Sequence, residues 1–508
     1  MPRKSIKQEI KSVADVPHFS EPSASGFPSS HQLAWAMSLL LIYFGLRLLF
    51  FAVTISPFVP PDEVTHFGLS SIFSEVSFLP ENSPDTYPYG LVSNIPYLYY
   101  WVMGKLLTVN VFPIPDLLFL RLLNIPFAFA TVFFIWRMLR LLTDDRLHQL
   151  LLMVVVTNTI MFSFLSAFVT YDNLSNLLAA MAIYSFLAFV RTRSGDLLAV
   201  SFLCQLAGSL TKSAFLPLIL ILNVLLLIHG FRDLRALPGS LRAYFRDARW
   251  TRWGLACGIL LGLALTIHLY GGNAIHYGSL TPEMSEVLSP DAAMLNRLEA
   301  RNLIFSLFKE GRISREQALE MTSQIRSLND RADAIALIEN YEALKRSKAE
   351  LMGPLEYPVF WVQQMLAGIF GIRAHLAIPN SGLTLLPFAI LVVLTGVAIL
   401  LRWRPSDAAW LPADMMVIAA FYVIFLMYGV NYRTYLSTGA IGLALQGRYL
   451  FPVLGPVSVV SSYYLLRLFR LGSLRLGVAA TISLLFIAFD FPYFLLHVTS
   501  EWFDPLLP

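Results

Sequence analysis

Apolar runs of about 16 to 24 residues recur along the chain, separated by short polar stretches, and a helix needs about 20 residues to cross the hydrocarbon core of a bilayer. The first run, Leu33 to Ser56, is longer than a signal-peptide core and lacks a small-residue cleavage pattern, so it reads as an uncleaved signal anchor. Ten further runs fall near 117–138, 147–168, 174–190, 197–211, 214–228, 253–270, 383–401, 415–430, 450–466 and 476–498. A segment in lipid must satisfy its backbone hydrogen bonds internally, so the pattern predicts an all-α polytopic membrane protein with about 11 transmembrane helices. Two other apolar stretches, Ile95 to Val109 and Pro358 to Ile378, are interrupted by Lys105 or by Gln363, Gln364, Arg373 and His375. They read as interfacial or re-entrant helices, and if just one of them spanned, everything downstream would invert.

Composition agrees. With 508 residues, 56% hydrophobic, only 14% charged and a mean hydropathy of +0.63, the chain is too apolar for a soluble protein of its length. The net charge of +4 is modest and the cations cluster beside apolar runs, as in loops that select orientation; no nucleic-acid signature is present. Cys204 and Cys257 lie in apolar runs without metal-ligand spacing and read as packing residues.

Orientation follows from the basic loops. A cytoplasmic N-terminus makes Arg137, Arg140 and Arg146, then Arg191 and Arg193, then Arg402 and Arg404, then Arg467, Arg470 and Arg475 cytoplasmic, together with the most basic loop, which carries Arg232, Arg235, Arg242, Arg246, Arg249 and Arg252. The expected organisation is a disordered cytoplasmic tail (1–32), an N-terminal transmembrane module (33–271) with a first outer loop (57–116), an outer-face helical lobe with an interfacial helix (272–382), and a C-terminal transmembrane module (383–508). Within the lobe, 291–350 is highly charged but nearly balanced in sign, and Ser314 followed by Gln317 forms a capping-box pattern.

The candidate chemistry collects in the three segments assigned to the outer face. Pro60-Pro61-Asp62-Glu63-Val64-Thr65-His66 follows the first span directly. Pro61 suits a first helical turn, and an acid there is favoured by the helix dipole. Asp62 and His66, four apart, would share a face, while Glu63 points about 100° away. Thr170-Tyr171-Asp172-Asn173 forms a tight turn between two spans, open equally to a structural reading as an Asx turn. Lys212, isolated among apolar residues, and Arg121, at the start of the second span, are candidate cations, each also explicable as a snorkelling anchor. Asn431-Tyr432-Arg433-Thr434-Tyr435 and Gln446-Gly447-Arg448-Tyr449 stand at the mouth of a late span, where an arginine can hold a phosphate through two parallel hydrogen bonds.

The Pro-Asp-Glu-x-x-His-Phe block (Pro61 to Phe67) and the Gln-Gly-Arg-Tyr-x-x-Pro block (Gln446 to Pro452) resemble the DUF2142 family of predicted membrane proteins, itself similar to GT-C superfamily glycosyltransferases. The first block also resembles the first-loop motif of protein O-mannosyltransferases. The resemblance implies a GT-C-like bundle in a bacterial inner membrane and a polyprenyl-phosphate-linked sugar donor, with the first-loop aspartate near the acceptor and basic residues near the phosphate. Displacing a sugar from a lipid phosphate releases an anionic leaving group, so one base suffices, whereas glycoside hydrolysis generally needs an acid as well as a base or nucleophile. Asp62 is the expected base, assisted by Glu63. His66, Arg121, Asp172, Lys212, Arg433, Gln446, Arg448 and Tyr449 are the expected substrate-binding residues. A divalent cation stays open, since Asp, Glu and His are plausible ligands but no fixed spacing occurs. The expected partners are membrane lipid, the lipid-linked donor and a glycan, lipid or protein acceptor. The alternative is a transporter or flippase of a lipid-linked glycan, although no internal repeat or matched pair of broken mid-membrane helices marks one.

Overall fold

The computed structural model describes residues 30–230, 250–325, 327–347, 351–378, 382–404 and 410–506. Most of the predicted tail, Arg232 to Arg249 of the basic loop, and 348–350 of the charged segment lie outside the described residues. Those described form an all-α polytopic membrane protein whose strands are one two-residue hairpin pair, Ile372–Arg373 with Ala377–Ile378. Nine described helices are long and apolar enough to cross a membrane, and two shorter apolar helices, Arg146–Thr157 and Gly195–Thr211, complete the eleven predicted positions. Their burial is uneven. The most apolar window of Tyr171–Thr192 is 78% buried and that of Gly447–Arg467 is 67% buried, against 11% for Trp250–Tyr277 and 17% for Thr384–Arg402. The first two therefore form the interior of the bundle, and they carry Asp172 and Arg448.

One predicted span needs correction, and the two interrupted apolar stretches prove shorter than their apolar runs. The run 147–168 is not one helix: it breaks at Asn158 and Thr159 into Arg146–Thr157 and Ile160–Leu165. Thr157, Asn158 and Thr159 each turn their side chains back to a carbonyl four residues earlier, which competes with helix continuation. The stretch 95–109 yields only Leu98–Leu107, about 15 Å of helix, packed against Glu63–Glu75. Their approach requires Gly104, where a Cβ would lie 2.7 Å from the Ser70 carbonyl oxygen. The stretch 358–378 yields helix Tyr357–Ile369, about 20 Å long, and then the hairpin. Neither helix has the length to span.

The charged segment folds into helices Arg297–Lys309, Arg315–Thr322 and Leu328–Ser347 around Ala300, Ile304, Ala318, Ile325, Ala334 and Ile338. Ser314 and Gln317 make the predicted reciprocal cap. Deep in the bundle, Arg47 of the first span and Asp490 form a buried ion pair, with Asp490 also accepting from Ser163 at 2.8 Å and Arg47 donating to the Thr157 carbonyl at 2.8 Å. The last transmembrane segment is thus tied to the first.

Candidate functional site

The site begins with a strained residue. Asp62 follows two prolines and is the N-cap of helix Glu63–Glu75, with φ 61° and ψ 11° and no side-chain cap. Aspartate tolerates the left-handed region better than most residues, yet the conformation still costs on the order of 1 kcal/mol and needs support from its surroundings. Asp62 is therefore outside the helix in which the sequence reading placed it. Its carbonyl still accepts from the His66 amide at 2.9 Å, and its carboxylate is turned toward two arginines.

Those arginines arrive from distant segments. Arg448 donates to Asp62 Oδ2 at 3.1 Å and Arg297, on the first lobe helix, donates to Asp62 Oδ1 at 2.7 Å. Arg297 also grips Asp330 at 2.9 and 3.2 Å. On the other side, Arg448 lies 3.7 Å from Asp172, whose second oxygen accepts from Lys212. The result is an alternating chain, Lys212, Asp172, Arg448, Asp62, Arg297, Asp330, of three cations and three carboxylates with zero formal charge. Its membrane end is closed, with side-chain exposures of 4% for Asp172 and Arg448. Asp62 and Arg297, at 30% and 28%, face solvent.

Local structure explains each placement. Thr170 N-caps Tyr171–Thr192 by accepting from the Asp172 amide, so the predicted turn is a helix start that sets Asp172 in the first turn. Lys212 sits in an extended break after Gly195–Thr211, with its ammonium 4.7 Å from the Tyr171 ring and 5.0 Å from the Tyr449 ring. That aromatic sandwich supports a cation removed from water. Gln446 accepts from Arg448 Nε at 2.6 Å and orients the guanidinium. Gly447 opens the 3-10 turn Gly447–Val453 and allows the 357–369 helix to pass against it, because a Cβ there would meet the Gly368 carbonyl carbon at 2.5 Å.

His66 is buried, shares a 2.9 Å hydrogen bond between Nδ1 and the Tyr100 hydroxyl, and meets the Tyr171 ring edge-on at 4.5 Å. Burial pushes its imidazole down to about 4 despite the opposing pull of Asp62 and Asp172, so it is neutral near pH 7. Burial acts to raise the Asp62 carboxyl, but Arg448, His66 and Arg297 outweigh it and hold that carboxyl well below the usual carboxylate range.

Glu63 and Arg121 do not join this chain, contrary to their expected catalytic and substrate-binding roles. They close on each other: Arg121 Nε and Nη2 bond the two Glu63 oxygens at 2.9 and 2.5 Å, and the Val169 amide donates to Glu63 at 3.0 Å. Arg121 Nη1 holds the Ala52 and Ile55 carbonyls, both at 2.8 Å, at the end of the first span. Both side chains are 0% exposed, which leaves no face for a substrate. Burial raises the Glu63 carboxyl, opposed by Arg121 and the Val169 amide. Arg433 begins the helix Arg433–Thr438 and is exposed, apart from the charge chain.

Two cavities flank Asp62. One of about 800 Å³ lies between the lobe, the hairpin and residues 439–446; the other, of about 400 Å³, lies beside Pro57 to Thr65. Asp62, Arg297 and His375 line both. Sequence reasoning missed Arg297, Asp330 and the site role of His375. Nothing in the charged segment distinguishes Arg297 from its neighbouring arginines, whereas Tyr171 stood inside a quoted motif and was open to notice. Among the described residues, no three His, Cys, Asp or Glu side chains converge as a metal site.

No family model matches the chain, and no curated protein matches it. Solved structures similar to it include ArnT from Cupriavidus metallidurans in the apo state, at 14% identity and TM-score 0.35, covering 85% of this chain and 78% of that one. The same protein bound to undecaprenyl phosphate is similar at 13% identity and TM-score 0.35, covering 86% and 78%. This likeness is distant, and a functional reading rests on the residues of the site itself.

Proposed function

We propose that this protein is a membrane glycosyltransferase of the GT-C kind, transferring a sugar from a polyprenyl-phosphate-linked donor to an acceptor hydroxyl on the outer face of a bacterial inner membrane. The DUF2142 resemblance, carried by the two motif blocks, points the same way. The observation that carries the reading is the position of Asp62: a carboxylate reachable from two cavities, joined to cations that lead into the transmembrane interior. In the proposed reaction, the acceptor oxygen bonds to the anomeric carbon as the bond from that carbon to the phosphate oxygen breaks. The acceptor proton passes to Asp62, and the lipid phosphate leaves with the electron pair. Arg448 and Lys212 stabilise that charge, Gln446 and Tyr449 orient these cations, and the sugar carbon inverts. His66, neutral and fixed by Tyr100, shapes the acceptor side. Glu63 and Arg121 act as a positioning pair beneath Asp62.

A carboxylate gripped by two arginines is a weak base, since basicity falls with pKa. The reaction therefore requires one arginine to shift its hold when the phosphate arrives. The test is transfer from a radiolabelled polyprenyl-phosphate sugar in nanodiscs by wild type and Asp62→Asn. Turnover by wild type and its loss in the variant support the reading; undiminished turnover in Asp62→Asn sinks the assignment. Movement of intact lipid-linked glycan across proteoliposomes without sugar transfer would favour a flippase instead.

A further inference from the structure

The charge chain joins two regions that meet different solvents. Lys212, Asp172 and Arg448 are enclosed by transmembrane helices, whereas Arg297 and Asp330 belong to the lobe. Asp62 stands where the two regions meet, held from the membrane side by Arg448 at 3.1 Å and from the lobe by Arg297 at 2.7 Å. Any anion entering at the Lys212 end must compete with Asp62 and Asp172 for Arg448. How strongly Asp62 competes depends on how far its charge is already satisfied from the other side.

We propose that Arg297 is a positioning residue for the phosphate site: by neutralising Asp62 from the lobe, it frees Arg448 to bind the phosphate of a lipid-linked substrate that Arg297 itself does not touch. This inference rests on the function proposed above. Without Arg297, Asp62 retains Arg448 as its sole partner in the chain and holds it away from the phosphate. With Arg297 in place, Asp62 keeps a cation when Arg448 turns to the phosphate, while the buried Asp172 keeps Lys212. The lobe is thereby coupled to the membrane site through one shared carboxylate.

A thermodynamic cycle tests this, using undecaprenyl phosphate as the probe with the full chain in nanodiscs and reading the dissociation constant. We expect Arg297→Gln to weaken binding roughly 10-fold, within the ordinary range of coupling between sites. In an Asp62→Asn background the same substitution should change binding less than about 2-fold, because the competing carboxylate is gone. Arg297→Lys, which keeps a charge near Asp62, should restore most of the affinity, and it serves as the reading variant if Arg297→Gln disturbs the lobe. Equal weakening by Arg297→Gln in both backgrounds would mean a simple field effect and overturn the inference alone. Failure of the wild-type protein to bind the lipid phosphate would overturn the functional reading and this inference together.

Discussion

Asp62 and Glu63 are adjacent, carry the same charge and each meet arginine, yet their surroundings differ in kind. Glu63 is closed: Arg121 and one amide occupy its oxygens, and solvent does not reach it. Asp62 is open: two arginines from remote segments share it at the wall between two cavities. The backbone makes the division. The left-handed turn at Asp62 directs one carboxylate to the cavities, and the helix that starts at Glu63 sends the next toward the first and second spans. A buried pair of the first type fixes structure, whereas the second type leaves a carboxylate able to change partners.

Breaking the closed pair should have the largest effect. Arg121→Met leaves Glu63 buried without a cation and is expected to cost about 3–5 kcal/mol of stability, read as a lower unfolding midpoint in detergent. Adding Glu63→Leu should recover much of that loss; a double variant as unstable as the single would mean that the pair contributes more than mutual neutralisation. Asp62→Asn should do the reverse, lowering transfer by roughly 10²- to 10⁴-fold while costing less stability than Arg121→Met, since Arg448 keeps Asp172, Arg297 keeps Asp330 and asparagine also tolerates the left-handed turn. A large stability loss there would erase the distinction between open and closed carboxylates.

The neutral imidazole beside them sharpens the comparison through pH. The folded His66 pKa of about 4 lies below its ordinary 6.5, so between those values the unfolded chain takes up a proton that the folded chain refuses. Stability should therefore fall as pH drops from 6.5 toward 4, by an amount on the order of 3 kcal/mol from this group. The difference between wild type and His66→Gln isolates that slope, and parallel pH profiles would refute it. The smallest effect is expected at Arg433: Arg433→Ala should change stability by less than about 0.5 kcal/mol and leave undecaprenyl phosphate affinity unaltered. Weaker binding in that variant would place Arg433 in the phosphate site after all.

Nine of the eleven apolar segments were legible from length and apolarity together, because a helix that crosses a bilayer needs about 20 apolar residues, whereas Arg146–Thr157 and Gly195–Thr211 are shorter and were legible from apolarity alone. The break at Asn158 was present in the sequence as Thr-Asn-Thr within an apolar run, but the run's hydropathy concealed it. At the site, Asp62, Asp172, Lys212 and Arg448 stood out as ionisable residues in apolar or motif surroundings. Arg297 did not, because a charged residue in a charged segment carries no contrast, and its partner Asp62 lies 235 positions away. Arg121 was legible as a cation at the start of the second span, but its pairing with Glu63, 58 positions away, was not, because only the fold brings the two together.

The contact of Gly447 with Gly368 also bears on synthesis. Arg448 is made 386 residues after Asp62, an interval of roughly 20 to 80 s at 5–20 residues per second. During that interval the early helices can insert and the lobe can fold, but Asp62 has no cation from the membrane side. The passage of one backbone across another at the two glycines is thus a late assembly step, followed by the span that brings Asp490 to Arg47, and a chain stalled before it has inserted most of its helices but lacks the Arg448 side of the charge chain.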